Sequence, residues 1–152
     1  MAASAKRSAG QILLRFFFVV YCVLMLWLLF GQRWGTEIYT QQLAANVNWK
    51  PFATVERYFN MLKNQQNQKL LRHAIINLAG NVVMFVPLGF FLPRIFPRLR
   101  GFFRTFFLAA VLICLVEAVQ YATALGTCDV DDLILNMFGV ILGYPFSKIK
   151  QN

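Results

Sequence analysis

Four stretches of almost uninterrupted apolar residues divide the chain, and polar or basic residues are confined largely to the intervals between them. The first covers 13–30 and is broken only by Arg15 near its start, whose long side chain can reach the headgroups beside Lys6 and Arg7. The second covers 74–92 and ends at Pro93, with Pro87 and Gly89 inside it as candidate kink residues. The third, 102–125, is the longest. The fourth, 133–146, reaches membrane length only if its helix begins near Asp129, which sets the span at about 130–147. This pattern predicts an all-α integral membrane bundle of about four transmembrane helices, filling 1–152 as a single domain.

The intervals set an orientation. Arg94, Arg98, Arg100 and Arg104 crowd the tight connection between the second and third spans, and Lys148 and Lys150 follow the fourth. The connection from Gly126 to Asp131 holds no Lys or Arg. Basic residues accumulate on the cytoplasmic side, so both termini are expected inside and the loop 31–72 outside, in a multi-pass protein of the plasma membrane. That outer loop carries six basic residues spread along its length, which narrows the contrast without reversing it. Residues Phe30 to Trp34 offer no small-x-small cleavage site, so the first span reads as an uncleaved anchor.

The outer loop is too aromatic for disorder, with Trp34, Tyr39, Trp49, Phe52, Tyr58 and Phe59. Val55, Phe59 and Leu62 fall at helical spacing behind Thr54, a candidate N-cap, and predict a short interfacial helix. The run 64–68 reads as a polar tether back to the membrane.

Composition supports lipid as the outer solvent: 59% of the 152 residues are hydrophobic and 14% charged. The net charge of +9 does not point to nucleic acid, because the cations lie between apolar runs, where they meet anionic headgroups. Cys22 and Cys114 lie inside apolar runs and Cys128 in a loop, with no CxxC or Cys/His ligand spacing, so no metal or cofactor is implied. His73, the only histidine, stands near Lys69 and Arg72 at a helix end and reads as a headgroup contact.

A few polar residues sit where lipid would penalise them, and they carry the candidate chemistry. Asn77 and Asn81 are one helical turn apart, with Gly80 beside them as a candidate packing position. Glu117 and Gln120 share a face of the third span; an intramembrane carboxylate usually faces the bundle interior or a wet cavity. Asp129, Asp132, Asn136, Gly139 and Gly143 recur at steps of three and four along one stripe of the fourth helix, and Asp131 falls off it. Gly139 and Gly143 form a GxxxG pair suited to close helix packing. One acid would serve as a cap, but three in four residues exceed that need. In the expected topology these groups converge in the outer half of the membrane as one polar cluster.

The same residues carry a resemblance. The stretch from Asn77 to Gly89, the pair Glu117-x-x-Gln120, the run from Asp129 through Asp132 and Asn136 to Gly139 and Gly143, and Pro51-Phe52-x-Thr54 resemble the signature elements of the VanZ-like family of small bacterial membrane proteins. Many members of that family carry an Arg just before the acidic turn, where this chain has Gly126 and Thr127. The resemblance implies four transmembrane helices and, from the founding member, low-level resistance to the glycopeptide teicoplanin. It implies no established reaction.

Two functions fit. One is a non-enzymatic protein that shields the envelope from lipoglycopeptides by holding the drug, or a lipid-linked cell-wall precursor, at the polar cluster. The other is a membrane enzyme or proton-coupled carrier acting on a lipid-linked envelope substrate, with carboxylates as acid–base groups or ion ligands. The chain has no Ser/His/Asp set, nucleophile motif or phosphate loop, which favours the first.

Overall fold

The computed structural model describes residues 2–31, 48–63, 68–123 and 129–149, without the side chains of 2–8, 61, 62, 68–71, 73 and 74. Five α-helices occupy the described residues: α1 (Ala2–Phe30), α2 (Ala53–Lys63), α3 (Gln68–Ile95), α4 (Phe102–Ala122) and α5 (Val130–Ser147). A 3-10 turn, Pro97–Leu99, links α3 to α4. Trp34, Tyr39, residues 64–67, Gly126, Thr127 and Cys128 lie outside the described residues, as does the side chain of His73.

Among the described residues three helices carry segments long and apolar enough to cross a membrane: Ala9–Phe30, Ile75–Ile95 and Phe102–Ala122. At 18 residues α5 is about 27 Å long, close to a hydrocarbon thickness of about 30 Å. Two aspartates in its first turn lower its apolar character.

The centre of the bundle is the pair α3 and α5, which run side by side in the same direction. Glycines permit the approach. A Cβ added at Gly139 would overlap the Val82 carbonyl, and one at Gly143 would overlap the carbonyl of Val86. From the other side, Gly89 meets the backbone of Val140. Gly80, expected to pack in the same way, has nothing within 4 Å of its Cβ position; the rotation of α3 turns Gly89 toward α5 instead.

The second helix does not stop at Pro93 but continues to Ile95. Its last turn is held by Arg94, which donates from Nε to the Ser147 carbonyl (3.1 Å) and from Nη2 to that of Ile149 (2.5 Å). The guanidinium thereby satisfies carbonyls that the end of α5 leaves without an internal donor. Packing supplies what the proline removes.

Helix α4 presents a single stripe to this pair: Thr105, Ala109, Ile113, Glu117 and Gln120 are its buried residues. They follow one another at helical spacing, so the two polar residues continue the core-facing line. Phe85, Leu88, Leu92, Met137 and Val140 complete the core with Met25 of α1. Helix α1 lies on the outside, joined to α3 by the Tyr21 hydroxyl, which donates to the Met84 carbonyl (2.9 Å), and by the Tyr21 and Phe18 rings against Phe91. Ile12, Phe16, Val19, Val23 and Trp27 remain exposed along it. An apolar outer surface of that kind suits lipid and not water.

Candidate functional site

Helix α5 opens with a self-contained cap. Asp129 has an extended backbone and accepts the Asp131 N–H through Oδ1 at 2.9 Å, the geometry of an N-cap aspartate. The same carboxylate reaches a second chain segment. Its Oδ2 accepts from the Thr54 hydroxyl (2.6 Å), and its Oδ1 accepts from the Asn48 amide (3.2 Å). Backbone pairing joins the segments too, with Val130 N–H donating to the Asn48 carbonyl at 3.1 Å in a short parallel bridge of Asn48 with Asp129.

Asp131 holds α2 from a distance. Its Oδ1 accepts the Phe52 N–H (2.5 Å), and its Oδ2 accepts the N–H groups of Thr54 (2.7 Å) and Val55 (3.3 Å). These are donors that the first turn of α2 leaves without internal partners, and a carboxylate there also complements the helix dipole. Thr54, expected to be the N-cap, lies inside the first turn, and its side chain turns to Asp129 instead. Phe52 precedes the helix with φ of 64°, a left-handed conformation uncommon for an aromatic residue and fixed here by its bond to Asp131. Asp131 is only 1% exposed, the most buried of the aspartates in this turn. Sequence periodicity placed it off the stripe and gave no sign of this role.

Asp132 points to α3, where it accepts from the Asn81 side-chain amide at 2.5 Å. Asn81 starts the face of α3 that continues through Phe85, Leu88 and Leu92 into the core, and Asn77 is half-buried one turn before it. Asn136, 3% exposed, lies one turn below Asp132, and its Oδ1 is buried without a hydrogen-bond partner among the described residues. Gln120 takes a different direction and donates to the Leu29 carbonyl at the end of α1 (3.0 Å). Glu117, 9% exposed, lies one turn before it on the buried face of α4. The acids of α5 thus join the 48–55 segment and α3, whereas Gln120 ties α4 to α1.

Around the anchored segment the aromatics point outward. Trp49 is 72% exposed, and Phe52 and Phe59 are also exposed. The inward face of α2 is formed by Thr54, with Val55 and Tyr58 half-buried beside it, and Phe59 points outward. Lys63 lies over the Phe59 ring at 5.0 Å. Among the described residues no three His, Cys, Asp or Glu side chains assemble as a metal-ligand set. The arrangement offers hydrogen-bond acceptors and an aromatic rim.

The acidic turn, its α3 amide and the glycine-packed pair of helices lie within one matched region: a family model described as VanZ/LLP1 aligns with residues 17–151. The chain belongs to the VanZ/LLP1 family. Protein VanZ of Enterococcus faecium is 27% identical to it over 147 residues, covering 94% of this chain and 80% of the relative. No solved structure matches the chain. Family membership and the three spanning segments make it a VanZ-like membrane protein.

Proposed function

We propose that this VanZ-like protein works in the plasma membrane to shield the cell envelope from teicoplanin-type lipoglycopeptides. It does so by binding the amphipathic drug, or a lipid-linked cell-wall precursor, at an outward-facing site. The site comprises the acidic turn of α5, its α3 partner Asn81 and the aromatic segment held over them.

The observation that carries this reading is the anchoring of residues 52–55 by Asp131. A buried carboxylate fixes a segment whose aromatic residues Trp49, Phe52 and Phe59 remain open. Aromatic rings with polar neighbours favour the membrane–water interface, where an acylated glycopeptide has both its chain and its polar core. The acids lie at the N-terminal end of α5, level with Asn81 midway along the parallel helix α3, and Arg94 and Lys148 lie at the C-terminal ends of the two helices. The concentration of basic residues at that second end argues for a cytoplasmic position there, which puts the acids outside.

The test is drug susceptibility in a deletion strain complemented with wild type, Asp129→Asn or Asp132→Asn. Wild type should protect against teicoplanin more than against a glycopeptide without an acyl chain. Both amide variants should lose that protection at equal membrane abundance, and full protection by both would refute the proposed role of the acids.

A further inference from the structure

The basic end of the bundle contains a cleft of about 380 Å³ lined by Pro93, Arg94, Arg100, Ser147, Lys148 and Ile149. Three cations meet there, and no Asp or Glu among the described residues lies beside them. The sequence has no Asp or Glu between Glu56 and Glu117, and none after Asp132. Those acids belong to α2, to the second half of α4 and to the opposite end of α5.

Two of these cations, Lys148 and Arg94, are held by neutral groups that fix their positions without cancelling their charge. Lys148 donates to the Arg100 carbonyl (2.5 Å) and lies over the Tyr144 ring at 5.0 Å, while the Tyr144 hydroxyl donates to the same carbonyl (2.8 Å). Arg94 uses Nε and Nη2 on the carbonyls at the end of α5 and stacks on Phe90 at 4.9 Å. Its Nη1, two further protons of the Lys148 ammonium and the whole Arg100 guanidinium make no hydrogen bond among the described residues. Unneutralised donors around one cleft, two of the three held in place, suit a phosphate, which accepts several charge-assisted bonds at once.

We propose that this cleft binds the phosphate of an anionic ligand at the basic end of the bundle, with Arg100 and Lys148 as the principal donors and Arg94 completing the cradle. The phosphate is carried by a lipid headgroup or is free in solution. Basic pockets between helix ends are a general setting for headgroup phosphates. The site is separate from the acidic turn and does not depend on the function proposed for that turn.

Thermal unfolding of the purified full chain in neutral detergent tests this, with short-chain phosphatidylglycerol, short-chain phosphatidylcholine and inorganic phosphate as ligands. Phosphatidylglycerol should raise the midpoint saturably, and phosphatidylcholine should not. Equal stabilisation by inorganic phosphate would assign the cleft to free phosphate, and its absence to a headgroup. In the double variant Arg100→Gln/Lys148→Gln, half-saturation should require about thirtyfold more ligand, taking each cation at about one kcal/mol. Arg100→Gln alone, which removes no hydrogen bond, should shift in the same direction and serves if the double variant does not fold. Removing two cations elsewhere, Arg57→Gln/Lys63→Gln, should leave binding unchanged. Equal loss in that control, unchanged binding in the cleft variants, equal stabilisation by zwitterionic phosphatidylcholine, or none by phosphatidylglycerol and inorganic phosphate alike would overturn the proposal.

Discussion

The carboxylate of Asp131, on α5, accepts the backbone N–H of Thr54, on α2, at 2.7 Å. That bond and its neighbours at Phe52 and Val55 join α2 to the bundle. An amide at position 131 would present a donor where three N–H groups need acceptors. Asp131→Asn should therefore cost about 2–3 kcal/mol locally. Amide exchange at Thr54 and Val55 should speed up by roughly a hundredfold. Asp129→Asn keeps the N-cap oxygen and turns its NH2 toward the Thr54 hydroxyl, which can accept instead of donate, so it should cost about 1 kcal/mol or less. Equal exchange rates in the two variants would remove Asp131 from its anchoring role.

The glycines separate packing from sequence pattern. Gly139→Ala and Gly143→Ala each force a methyl group into a backbone carbonyl of α3, and each should destabilise the protein by about 3 kcal/mol or more in detergent unfolding. Gly89→Ala should act similarly, since its methyl group would meet Val140. Gly80→Ala enters open space and gains helix propensity, so it should be neutral or stabilising by up to about 1 kcal/mol.

The helices were legible in the sequence because lipid demands long apolar runs, and the acidic turn stood out as charge beside such a run. The pairing of Asn81 with Asp132 was accessible as an expected convergence of the second and fourth helices. Asp131 was not legible, because its partners are backbone N–H groups of a distant segment, and these leave no side-chain signature. Thr54 was read as a cap from local order alone, whereas the actual acceptor at that helix end comes from another helix. Gly80 and Gly89 were indistinguishable by residue type, since only the rotation of α3 decides which faces α5. Pro93 looked like a terminator, but Arg94 holds the turn beyond it to the end of α5.

Orientation can be read in intact cells with a membrane-impermeant thiol reagent, in a chain whose Cys22, Cys114 and Cys128 are replaced by serine. In the proposed orientation, with the basic end toward the cytoplasm, Trp49→Cys should be labelled from outside and Arg98→Cys only after permeabilisation. The reverse pattern would put the acidic turn inside and remove the proposed contact with an extracellular drug.

The most direct measurement is the teicoplanin susceptibility of cells carrying Trp49→Ala/Phe59→Ala. Both rings are exposed and lie outside the hydrophobic core, so the variant should fold, insert and unfold within about 0.5 kcal/mol of wild type. If the anchored aromatic segment meets the ligand, that variant should lose protection at wild-type abundance. Full protection by a folded, fully expressed double variant would contradict the proposed site.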